Sequence, residues 1–118
     1  MHVFIIGNIS PGSKRCNKQW AQRYNMLIER YQDVVRLQAF GGEGIDTFHL
    51  QHPFAATNLE TPFSYINVGG ALGTYGSKNP SVRRYIMNAD QNVPAYIHTL
   101  KYDLEAKNDD PTLNWNGE

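Results

Sequence analysis

A chain of 118 residues with 41% apolar, 12% aromatic and 19% charged residues has room for one domain around one core, and is too apolar for a disordered tail. Eleven Lys and Arg offset eleven Asp and Glu, which excludes a strongly basic nucleic-acid binder. The single cysteine, Cys16, excludes an internal disulfide framework and a cysteine-based zinc motif.

The first apolar run, residues 3–6, is far shorter than the roughly 20 residues of a membrane span, and no secretory pattern opens the chain. A soluble intracellular, cytoplasmic protein is therefore expected, in the host cytoplasm or a virion if virus-encoded. The run itself reads as a central strand over residues 2–9, apolar on both faces. Turn residues at 10–13 follow, and Asn17 is placed to cap a helix over residues 18–33. Trp20, Tyr24, Leu27, Ile28 and Tyr31 recur along it at three- and four-residue spacing, giving one apolar stripe.

Beyond the helix the period changes to two. In residues 34–40, Val35, Leu37 and Ala39 alternate with Arg36 and Gln38, and residues 47–51 alternate again after Gly41-Gly42-Glu43-Gly44. Residues 34–51 thus predict a hairpin, while strand, helix, strand is also the order of a parallel crossover unit. A loop over 52–61, a strand over 63–68, a glycine-rich loop over 69–80, a strand over 82–89 and a last strand over 95–105 complete the reading. Tyr96, His98, Leu100, Tyr102 and Leu104 share what should be the buried face of that last strand. His98 is there a core histidine rather than a base.

The fold expected is α+β: one domain over residues 1–106, with a mixed or mainly antiparallel sheet of four to six strands. One long N-terminal helix packs on one face, and residues 107–118 form a loosely ordered acidic tail that includes Leu113 and Trp115. Charge is unevenly spread, with six basic and two acidic residues in 1–40 against two basic and five acidic in 101–118. That asymmetry suits end-to-end contact between copies.

Three segments carry residues suited to chemistry. The loop after the first strand offers Gly7, Asn8, Ser10, Gly12, Ser13 and Lys14, with Arg15, before a helix start, which is where backbone N–H groups can receive an anion. Gly70 and Gly73 open a second loop that ends at Lys78, where glycines permit close backbone approach to a ligand or another chain. His49 and Gln51 project from one face of a strand, two residues apart, as two ligands of a divalent metal would. Cys16 lies near the helix start but has no histidine partner in sequence.

His49-Leu50-Gln51, after a strand and a Gly-Glu-Gly turn, resembles the second motif of the small rolling-circle replication initiators, and Tyr75-Gly76-Ser77-Lys78 resembles their Tyr-x-x-Lys motif. The resemblance implies that His49 and Gln51 hold a metal, that Tyr75 attacks a DNA phosphate and that Lys78 assists. The leading expectation is different. It is a non-enzymatic interaction or assembly protein, homo-oligomeric or docked on a larger complex, with a viral or mobile-element accessory role. The rival is a small protein or enzyme binding nucleotides or phosphate esters, including the initiator-like nuclease. No cofactor is expected, apart from a divalent metal under that rival. The expected partner is protein or a second copy, with nucleic acid or nucleotide possible.

Overall fold

The structure, a computed structural model, describes residues 1–54, 61–110, 112 and 116–117. Its elements run β1 (Val3–Ile9), α1 (Lys18–Arg30), β2 (Val35–Gly41), β3 (Thr47–Gln51), β4 (Ser64–Val68), β5 (Ser81–Met87), β6 (Pro94–Lys101), α2 (Leu104–Asp109) and β7 (Asn116–Gly117). The α+β class holds, but the strands divide between two sheets. One is mixed, in the order β1-β2-β4-β3, and the other is antiparallel, in the order β5-β6-β7.

The long N-terminal helix is not found. α1 has 13 residues and starts behind β1, where the Asn17 side chain accepts hydrogen bonds from the amides of Gln19 and Trp20. It stops at Arg30 because Tyr31 leaves helical geometry, its N–H still bonding to the carbonyls of Leu27 and Ile28. The apolar stripe is only partly used: Ile28 is buried, whereas Trp20 and Leu27 remain 51% and 54% exposed.

β1 is an edge strand, not a central one. It pairs with β2 in parallel, as the crossover order allows, and the expected β2–β3 hairpin does not form. Instead β4 lies between them, parallel to β2 and antiparallel to β3. The reason is burial: Ile66, Asn67 and Val68 of β4 are all buried, more than any other strand offers in sequence, so β4 takes an interior position.

The paired register places Ile5 beside Gln38, Phe40 beside Val68 and His49 beside Ile66. Phe40, Ile66 and Val68 form the core, with Ile5 and Tyr24 packed against them. On the other face Phe4, Phe48 and Leu50 are exposed and Ile6 is 82% exposed. The accessible surface, 8479 Å², exceeds the ~6,500 Å² of a compact protein of this mass. A continuous apolar run therefore marks a strand with two apolar faces without ensuring that both are covered.

Gln38, read from sequence on the face opposite Leu37, is the polar centre of the core face. It is buried, accepts from the Tyr24 hydroxyl at 2.9 Å, and donates through Nε2 to Gln51 Oε1 at 2.6 Å and Ser64 Oγ at 2.9 Å. Tyr24 also stacks on Trp20 and meets the edge of Phe40. Burial pushes the Tyr24 phenol from 10.0 up to about 12. The folded state thus favours the neutral phenol. Its contribution is complete below pH 10, where the unfolded phenol is also neutral, and declines as pH rises from about 10 toward 12. Urea midpoints measured at pH 9 and pH 11 should therefore fall further for the parent than for Tyr24→Phe; equal falls would refute the coupling.

The second sheet is thinly covered. Tyr96 is 66% exposed, so the face it shares with His98 is not the buried one expected, and β6 ends at Lys101, four residues early. His98 is half-buried beside Tyr96, not a core residue. Asp46 joins the two sheets: it forms an ion pair with Arg83 and accepts from Thr99 Oγ1 at 2.7 Å. Residues 107–109 belong to α2 and β7 pairs with β6, while Leu113 and Trp115 lie outside the described residues. Among the described residues, no helix is long and apolar enough to cross a membrane.

Candidate functional site at the strand ends

Because β1, β2 and β4 are parallel, their carboxyl ends lie along one edge of the sheet, the usual location of a ligand crevice in such sheets. Three connections leave there, at residues 10–17, 42–46 and 69–80. They meet at the 42–44 turn, built by Gly42 and Gly44 with φ of 77° and 68°. The two glycine-bearing loops and His49, separate candidates in sequence, thus converge around Glu43.

Ser10 Oγ donates to Glu43 Oε1 at 2.7 Å, and His49 Nε2 lies 4.0 Å from the same oxygen. Arg15 Nη1 donates to the Gly42 carbonyl at 2.7 Å, and Lys78 Nζ donates to the Glu43 carbonyl at 3.2 Å. Both cations rest on neutral acceptors, so neither charge is cancelled by a carboxylate at these contacts. Two fixed cations stand against one carboxylate, and the turn is net positive.

Ser10 is fully buried and its hydroxyl bonds to the carboxylate rather than the imidazole. That order of contacts does not make an activated serine nucleophile, which would be paired directly with the histidine. Ser10 instead fixes the Glu43 carboxylate. Asn8 lies so close under Gly42 that a methyl there would come within 2.7 Å of its backbone oxygen.

Other sequence candidates have structural roles. A methyl at Gly7 would meet the Phe40 ring at 2.5 Å, and any side chain at Gly70 would overlap Ser81. Gly12 holds a φ of 97°, and Gly73 faces open space. Ser13 Oγ accepts from the Arg15 amide, shaping the loop. Nothing in the structure assigns Lys14 a role. The α1 start is closed by Asn17, whose side chain takes the Gln19 and Trp20 amides that an anion would need.

Gln51 Oε1 already accepts from Gln38, leaving its Nε2 free and removing the oxygen that a metal would take from a carboxamide. Among the described residues, no three His, Cys, Asp or Glu side chains are grouped to hold a metal ion. Tyr75 is 94% exposed in a turn, while Lys78 of the same motif turns inward, so the structure does not bring the two together.

Arg15 belongs to the loop that the sequence marks as an anion seat, whereas Glu43 is the site residue that sequence reasoning misses. An acidic residue inside a glycine-rich turn at the end of a buried strand was the available signal.

The chain is similar to sphingomyelin phosphodiesterases. It is 30% identical to the one from Bos taurus over 95 residues, covering 80% of this chain and 15% of the relative. It is 25% identical to sphingomyelin phosphodiesterase 1 of Caenorhabditis elegans over 114 residues, 96% of this chain and 20% of the relative. It is 24% identical to sphingomyelin phosphodiesterase B of Dictyostelium discoideum over 117 residues, 96% of this chain and 18% of the relative. The chain spans a fifth or less of the length of these relatives. No family model matches.

These similarities overturn the leading sequence expectation. They point to a domain related to phosphodiesterases of cellular organisms, not to a non-enzymatic viral or mobile-element assembly protein. Composition misled because a neutral, asparagine-rich surface is equally compatible with either class, and the site residues lie scattered over residues 10–78.

Proposed function

We propose that this chain is a phosphodiesterase-type domain whose strand-end loops bind a phosphodiester anion. The observation that carries the reading is the pair Arg15 and Lys78, held on the carbonyls of the 42–44 turn beside His49. A phosphodiester bears one negative charge, which the surplus positive charge of the turn complements. The similarity to sphingomyelin phosphodiesterases, whose name specifies that bond class, supports it.

Hydrolysis transfers water oxygen to phosphorus and breaks one phosphorus–oxygen ester bond, releasing an alcohol that gains a proton. Imidazole can both donate and accept a proton, and His49 Nε2 stands 4.0 Å from the Glu43 carboxylate that Ser10 holds in place. In this reading His49 supplies the leaving alcohol's proton, while Arg15 and Lys78 neutralise charge on the non-bridging oxygens.

Turnover of bis(p-nitrophenyl) phosphate by the parent chain tests it. His49→Gln should lower kcat by about a hundredfold, and Lys78→Met should weaken binding of the anion by about tenfold. Equal turnover in parent and both variants would refute the assignment.

A further inference from the structure

Next to the Glu43 turn, a cleft of about 400 Å³ opens between α1 and β3, lined by Gly12, Ala21, Asn25, His49, Gln51 and Phe54 among others. His49 belongs to both the cleft and the turn, so the two are continuous. At its base Gln51 is only 4% exposed, yet its Nε2 has no hydrogen-bond partner. The orientation of that amide is set from behind, since Oε1 accepts from Gln38. A buried donor without a partner is rare in a folded protein, and here it lines a space large enough for a ligand.

Asn25, on the α1 side, donates through Nδ2 to the His52 carbonyl at 2.8 Å. Its Oδ1 makes no other hydrogen bond among the described residues. His49 Nε2, also buried and without a hydrogen-bond partner, lines the same cleft, which therefore offers the Gln51 donor, the Asn25 acceptor and an imidazole nitrogen, a set that an alcohol hydroxyl can satisfy as both donor and acceptor. Phe54, Ala21 and Ile66 supply apolar wall. Among the described lining residues there is no carboxylate, and the rings are those of Phe54 and the His49 imidazole, whereas a quaternary ammonium group is recognised by several Trp, Tyr or Phe ring faces or by anions.

We infer that the α1–β3 cleft takes an uncharged, hydroxyl-bearing alcohol portion of a phosphodiester, oriented by Gln51 and Asn25, in preference to a choline-type cation. This rests on the phosphodiester reading of the strand-end turn. It narrows that reading to one substrate class and makes Gln51 a specificity-determining residue.

Three soluble probes separate the two claims: dimethyl phosphate, 2-hydroxyethyl methyl phosphate and methyl phosphocholine, each titrated into the full 118-residue chain. The hydroxyethyl probe should bind about tenfold more tightly than either of the others, the gain expected for satisfying a buried donor. Gln51→Glu keeps an oxygen facing Gln38 and removes the donor, and should abolish that preference. Ala21→Leu, which fills the cleft from α1 without touching the Gln38 network, should abolish it too, whatever the folding of the Gln51 variant. Methyl phosphocholine binding as tightly as the hydroxyethyl probe would overturn the inference while leaving the strand-end site intact, as would a preference that survives Ala21→Leu. Failure of all three probes to bind would remove the strand-end site and the inference with it.

Discussion

Gln38→Leu is expected to destabilise the chain by about 3–4 kcal/mol, more than any single substitution on its exposed strands. The volume is nearly conserved, so the loss is not a cavity effect. It arises because Gln38 is the common partner of Tyr24, Gln51 and Ser64. Removing it leaves the Tyr24 hydroxyl and Gln51 Oε1 without this partner in the core, and each such group costs about 1–3 kcal/mol, with incomplete additivity. Tyr24→Phe removes only one bond and is expected to cost about 1 kcal/mol. The double variant should be scarcely less stable than Gln38→Leu alone, because the hydroxyl that Gln38 satisfied is then gone. Urea denaturation of the four proteins decides the matter; strict additivity would show that the network does not act as a unit. The test also bears on the site, since Gln38 fixes the amide of Gln51 at the base of the α1–β3 cleft.

Gly42→Ala should combine a stability loss of about 3 kcal/mol with loss of anion binding. The residue has a φ of 77°, where an alanine pays about 1–2 kcal/mol in backbone strain. The added methyl would also lie 2.6 Å from Asn8 Oδ1 and 2.7 Å from Asn8 O, so β1 or the turn must move. Either movement displaces the Gly42 and Glu43 carbonyls on which Arg15 and Lys78 rest. Gly41→Ala is the control: it lies one residue earlier, with no atom within 4 Å of the new methyl, and should change both quantities little. A stable Gly42→Ala protein that bound phosphodiesters normally would show that the turn does not organise the site.

Much of this architecture is legible in the sequence where one local rule dominates. The Asn17 cap, the 3.6-residue stripe of α1 and the change to a two-residue period each correspond to an observed element. Beyond the shorter α1 and β6 and the missed α2, the failures concern partners. The 3–6 run is apolar on both faces, yet β1 lies at an edge with Ile6 exposed. The glycine turn after β2 looks like a hairpin, yet it carries the chain to β3 on the far side of β4. Gln38 shares its strand face with Arg36 in sequence, and alternation alone cannot say that this is the face the helix covers. For the site, the three contributing segments were each visible from their glycines, lysine and histidine. Their convergence was not, because it depends on the parallel order of β1, β2 and β4. Glu43 acquires meaning only once that order brings the loops together.

The central claim is that these loops form one phosphodiester site around the 42–44 turn. Its most direct measurement is an amide-resolved NMR titration of the chain with dimethyl phosphate. The account predicts saturable shifts, with one common affinity, in residues 10–15, residues 42–44, His49 and Lys78, all weakened together in Lys78→Met. Shifts confined to a single loop, or an absence of saturable shifts at the 42–44 turn, would contradict it.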